Sequence, residues 1–153
     1  MRNKNKLLVK QLDKKLDPLL RAKNLTKPDE GWIRTIREAL NMTMAQLGSK
    51  IGITRQGIKR IESSEANQSI SLGALVEIAD ALGFRFVYGF VPKEESVEKL
   101  VEVRATELAT EIVMRTDQTM SLEDQAVSDE YLQKSIKELS EELQREMSKS
   151  LWD

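Results

Sequence analysis

Apolar residues recur at helical spacing along most of this chain, and only one stretch gives way to a β-like run. Leu8, Leu12, Leu16 and Leu19 repeat every three or four positions with Lys10, Lys14 and Lys15 between them, which predicts a short amphipathic helix. Asp17-Pro18 ends or kinks it, because proline disfavours helical geometry in the residue before it. The turn formers of AKNLTKPDEG make a linker, and Ile33, Ile36 and Leu40 in GWIRTIREAL predict the apolar face of a second helix. Thr43 followed by Gln46 reads as a capping box opening a third helix, with Leu47 and Ile51 inward and Gly52 as its stop. After Ile53, Thr54 caps a fourth helix with Ile58 and Ile61 inward. Ser71 caps a fifth, SLGALVEIADAL, whose apolar positions are Leu72, Leu75, Ala79 and Leu82 and which Gly83 terminates. FRFVYGFVP then predicts one strand closed by Pro92, and a lone strand has no partner within the chain. Val97, Leu100, Val101, Leu108 and Ile112 line a helix running to about Arg115; Ser121 with Asp124 makes a weaker capping box. Leu132, Ile136, Leu139, Leu143 and Met147 line a last helix.

The third and fourth helices, joined through Gly52 by so short a turn, make a helix-turn-helix. Gly48 supplies the small side chain needed where they cross, Gly52 the positive backbone angle of the turn, and Ile58 the plug into the core. A helical hairpin with no ligand is the competing reading. Against it stands the outward side of the fourth helix, which offers Arg55, Gln56, Lys59 and Arg60. Arginine pairs bidentately with guanine and glutamine with adenine in the major groove, while lysine suits phosphate. Thr54 and the helix N-terminus suit a phosphate as well, and Thr43 and Gln46 join the expected DNA-binding set. Gly57 costs about 1 kcal/mol relative to alanine inside a helix, which a close approach to DNA or to the preceding helix would explain.

TMAQLGSKIGITRQGIKRIE resembles the phage-repressor (Cro/C1 or xenobiotic-response-element) class of helix-turn-helix, over roughly residues 32–82. Met44 stands where that class often offers a glutamine to phosphate. KQLDKKL, GWIRTIREAL, SISLGALVEIADALGFRFVYGFVP and TMSLEDQ, in that order, resemble the mobile mystery protein A family over about residues 7–126. That resemblance implies an antitoxin-like regulator paired with a Fic-domain protein, of a class that commonly transfers AMP to protein hydroxyls. The fold expected is mainly α: a Cro/C1-type helix-turn-helix bundle with one short β-strand and an appended α-helical C-terminal region.

The net charge of -1 hides a division along the chain. Residues 1–27 hold nine Lys/Arg against two Asp (+7), residues 28–93 eight against seven (+1), and residues 94–153 seven against sixteen (-9). Three segments follow: a basic amphipathic helix and linker at 1–27, a DNA-binding domain with dimerisation strand at 28–93, and an acidic helical partner-binding or oligomerisation region at 94–153. A cationic front half suits a polyanion, whereas the acidic tail faces solvent, itself or a basic protein. With no cysteine and no histidine, disulfides, thiolate nucleophiles and imidazole bases are excluded, and no metal site or cofactor is expected. The paired carboxylates Glu94-Glu95 and Glu141-Glu142 point to different sides of a helix and read as solvated charge, so no catalytic residue and no enzyme are expected. No stretch approaches the roughly 20 apolar residues that span a bilayer, so no membrane partner is expected and the location is read as cytoplasmic.

The function expected is a dimeric repressor of a palindromic operator in its own promoter, with Phe84, Phe86, Val87, Tyr88 and Phe90 pairing with the same strand of a second copy. A direct protein inhibitor of the Fic enzyme and a standalone dimeric repressor are the alternatives. Fic inhibitory helices carry a Ser or Thr, three residues, a Glu, then Gly or Asn. Thr119 to Glu123, followed by Asp124, comes closest as a partner-binding motif; Thr26 to Glu30, followed by Gly31, fits the letters but contains Pro28.

Overall fold

Side-chain caps set where most of the helices begin. The computed structural model describes residues 2–122 and 128–153. Its helices are α1 (Arg2–Leu16), α2 (Trp32–Ala39), α3 (Met44–Ile51), α4 (Arg55–Ala66), α5 (Leu72–Ala81), α6 (Val97–Leu122) and α7 (Asp129–Glu146), with 3-10 turns at Asp17–Ala22 and Lys149–Trp152. Thr43, Thr54, Ser71 and Ser128 each accept the backbone N–H three residues on, satisfying one of the donors that a helix start leaves free. Residues 24–89 form one compact unit, and the chain through Lys23 together with the chain from Phe90 forms a second. The three segments expected from charge are therefore arranged as two units, the basic N-terminal helix belonging with the acidic C-terminal ones.

In residues 24–89, Ile33, Leu47, Ile58, Ile78 and Leu82 are buried together, one or two from each of α2 to α5. Leu40 and Leu72, expected on apolar faces, are instead half exposed. Leu40 is already the C-cap of α2, and Leu72 opens α5 on the side away from Ile78. Among the described residues there is no strand. Phe84–Phe90 is extended chain without a ladder partner, with Val87 68%, Tyr88 70% and Phe90 85% exposed and Phe86 stacked on Tyr88. A strand is defined by its ladder, and one copy of this chain supplies no second strand to build it.

In the other unit, α6 and α7 form an antiparallel hairpin around Val101, Ala105, Ala109, Ile136, Leu143 and Leu151. Ala105 and Ala109, fully buried one turn apart, let α7 approach α6 closely. The hydroxyls of Thr106 and Ser140 meet across the seam at 3.0 Å. Arg104 fastens the C-terminal turn by donating to the carbonyls of Leu151 and Asp153. The helix expected to stop near Arg115 continues to Leu122, and within it Thr116 and Thr119 donate their hydroxyls to the carbonyls of Ile112 and Arg115. Ser121 thus lies in the last turn of α6 rather than before a new helix, and Asp124 falls outside the described residues.

Helix α1 lies on this hairpin with Val9, Asp13 and Leu16 toward it. Asp13 accepts the N–H groups of Val97 (2.7 Å) and Glu98 (3.1 Å), and Ser96 accepts that of Lys99 (3.0 Å). Three of the four free donors at the start of α6 are thereby used. This cap fixes the rotation of α1, so Leu8 and Leu12, read as its apolar stripe, sit on a flank and remain nearly half exposed.

Candidate nucleic-acid interface

The turn between α3 and α4 is built from backbone constraints that few residues meet. A Cβ on Gly48 would stand 2.5 Å from the carbonyl oxygen of Ile53, so only glycine lets the two helices close. Gly52 adopts φ +76° and returns its N–H to the carbonyl of Gly48, ending α3 in the left-handed region. A Cβ on Gly57 would meet the Ile53 side chain at 3.3 Å, so its tight neighbour is the turn itself.

The electrostatic layout of α4 depends on two carboxylates that do not face solvent. Glu62 receives Arg37 through Nε (2.7 Å) and Nη2 (3.1 Å), with both side chains less than a tenth exposed. Arg37 also donates to the carbonyl of Met42 at 2.8 Å. Its pKa is raised, chiefly by the hydrogen bond to Glu62 and against the cost of burial. Glu65 accepts the N–H groups of Trp32 (2.9 Å) and Ile33 (2.8 Å), capping α2 from another helix. Gly31 permits this: its φ is +86°, and a Cβ there would lie 2.7 Å from the Glu65 carboxylate. The three cations of α4, Arg55, Lys59 and Arg60, are consequently left on the outside without an acidic neighbour on their own helix.

Arg55, Gln56, Lys59 and Arg60 are exposed and make no hydrogen bond or ion pair with any described residue. They form two neighbouring rows one helical turn apart, Arg55 with Lys59 and Gln56 with Arg60. Thr54 is spent as the cap of α4, its Oγ1 accepting from Gly57 at 3.1 Å, and keeps its hydroxyl proton for an outside acceptor. Thr43 and Gln46 cap each other, Oγ1 accepting from Gln46 N–H at 3.0 Å and Oε1 accepting from Thr43 N–H at 2.9 Å. The Gln46 amide NH2 and the Thr43 hydroxyl proton are left to reach a phosphate, while the rest of this pair is a structural device. Sequence reasoning missed Lys50, exposed in the last turn of α3, and missed Arg37, Glu62 and Glu65. The signal for the carboxylates was present: Glu62 and Glu65 lie four residues after Ile58 and Ile61, on the same inward side.

The other expected sites are not brought together with this face. Phe84, Phe86, Val87, Tyr88 and Phe90 lie on the extended segment described above. Thr119 is inside α6, bonded to Arg115, and Glu123 falls outside the described residues. Glu30 is exposed and paired with Arg34 at 3.4 Å. No helix among the described residues is long and apolar enough to cross a membrane.

Residues 33–88 match the helix-turn-helix family model, which spans α2 to α5 and the first part of the extended segment. This part of the chain is thus similar to the DNA-binding domain of phage-repressor-type transcription regulators. No curated protein and no solved structure matches the chain.

Proposed function

We propose that this chain is a dimeric, sequence-specific transcriptional repressor that reads a palindromic operator through α4 and, like an antitoxin, represses an operon shared with a Fic-domain protein that it binds. The observation that carries the DNA reading is the outward row of Arg55, Gln56, Lys59 and Arg60, without partners among the described residues while both carboxylates of α4 are held inward. Such a row contacts base edges from its first turn and phosphates from its second. A single module of this kind reads a half-site, so a symmetric operator takes two copies. The exposed apolar segment Phe84–Phe90 supports dimer formation, because a second copy would supply both the ladder and the cover it lacks. The Fic partner and the shared operon rest on the resemblance of residues 7–126 to the mobile mystery protein A family. The acidic α6–α7 hairpin is the docking surface assigned to that partner.

Selection of duplexes from a random pool by the full chain tests this function. A palindromic consensus is expected, and Val87→Pro, which cannot donate to a ladder, should sediment as a monomer and lose the site. A consensus without symmetry, or a Val87→Pro chain that stays dimeric on the same site, contradicts the proposed dimer. Failure of the Fic-domain neighbour to co-purify with the full chain contradicts the partner.

A further inference from the structure

The basic N-terminal segment is folded into a helix whose lysines are not paired with the carboxylates of its own unit among the described residues. Lys4, Lys6, Lys10, Lys14 and Lys15 are all exposed, and none of them forms an ion pair with a described residue. The single carboxylate within α1, Asp13, is committed to the N-terminus of α6. The charges are therefore sorted as in α4, with the carboxylate inward and the cations outward. At 3.6 residues per turn, Lys4, Lys14 and Lys15 fall opposite Val9 and Asp13, on the side of α1 farthest from the acidic hairpin. A helix is about 10–12 Å across, and the screening length at physiological salt is about 8 Å. The carboxylates of α6 and α7 lie roughly one helix diameter behind this face, just beyond one screening length, and weaken its field only in part.

We infer that the outward face of α1 is a second phosphate-contacting surface, which binds the backbone of duplex DNA. This rests on the DNA-binding reading of α4 given above. Charge complementarity selects a polyanion. An anionic lipid surface fits less well, since a helix lying in a membrane interface needs a free apolar face. Here Val9 and Leu16 are already used against the hairpin, Leu8 and Leu12 are exposed only along one flank, and Leu7 stands alone among Lys4, Gln11, Lys14 and Lys15 on the outermost side, so no continuous apolar face is free. Contacts of this kind add affinity without sequence information and make it depend on salt, by about 0.9 in the slope of log K against log salt for each phosphate neutralised.

The test is binding of the full chain to a random-sequence duplex and to its preferred site across a salt series. The triple variant Lys4→Gln, Lys14→Gln, Lys15→Gln should lose about two to three from the slope and at least roughly tenfold in affinity at low salt, on both duplexes alike. The matching triple arginine variant should keep the wild-type slope, which separates charge from any effect on folding. An unchanged slope in the glutamine variant overturns the inference while leaving the reading of α4 intact. Wild-type chain that binds neither duplex overturns both. Loss of binding to phosphatidylserine vesicles, or of self-association, with the slope unmoved would give this face to lipid or to a second copy instead.

Discussion

Residues 24–89 and the helical unit formed by the chain on either side of them both use a carboxylate from one helix to cap the start of another, yet they bury those charges differently. Glu65 reaches the N-terminus of α2 from a buried position that Gly31 keeps open, and Glu62 beside it is locked to Arg37. Asp13 reaches the N-terminus of α6 from a half-buried position at the edge of α1, and in its unit the pairs Glu102–Lys99, Glu107–Arg104 and Glu111–Arg115 run along the surface of α6. In the first unit the buried ionic contacts fix the orientation of a helix that must present a defined face, while Arg34 pairs with Glu30 and Glu38 at the surface. In the second they decorate a hairpin whose packing is set by Ala105, Ala109 and the apolar seam. Charge acts as a positioning device where it is removed from water, and as a solubility and steering device where it is not.

The difference predicts a graded series in urea unfolding. The chain's two tryptophans, Trp32 and Trp152, report one unit each, and changing one to phenylalanine isolates the other. The largest effect is expected from Arg37→Ala, which strands Glu62 in the core and should cost about 3–5 kcal/mol at the Trp32 transition. Replacing both partners together, Arg37→Met with Glu62→Leu, should recover most of that loss. A cost under about 1 kcal/mol for Arg37→Ala would show that the pair positions nothing. Next comes Asp13→Ala, expected to remove about 0.5–2 kcal/mol at the Trp152 transition by exposing the start of α6. Smallest is Glu111→Gln, at most about 0.5 kcal/mol, since its pair with Arg115 is largely in solvent. If Glu111→Gln matched Arg37→Ala, the contrast between the two units would collapse.

Much of the DNA-binding unit was legible because its constraints fall on single residues. Gly48, Gly52, Thr43 and Thr54 each have one physical job that few other residues do, and each is found doing it. The inward carboxylates of α4 were not legible, because hydropathy assigns every glutamate to solvent and only the i+4 relation to Ile58 and Ile61 says otherwise. The association of α1 with α6 was hidden for another reason. Its period announces an apolar face without naming what covers it, and the Asp13–Val97 contact joins residues 84 apart in the chain. The strand expected at Phe84–Phe90 illustrates the same limit, since its composition suits a ladder that one copy does not contain. The apolar positions that mark α6 stop at Ile112, yet the helix runs on to Leu122 with the Thr116 and Thr119 hydroxyls bonded to the preceding turn.

The account stands on α4 reading base edges, and the most direct measurement is the affinity of Arg55→Ala and Gln56→Ala chains for the preferred duplex beside a random-sequence one. Each variant should lose about 1–3 kcal/mol on the preferred site and keep most of its affinity for random sequence, so that the ratio between the two falls by roughly ten- to a hundredfold. Variants that retain the full wild-type ratio would mean that α4 does not read the sequence, and would contradict the account.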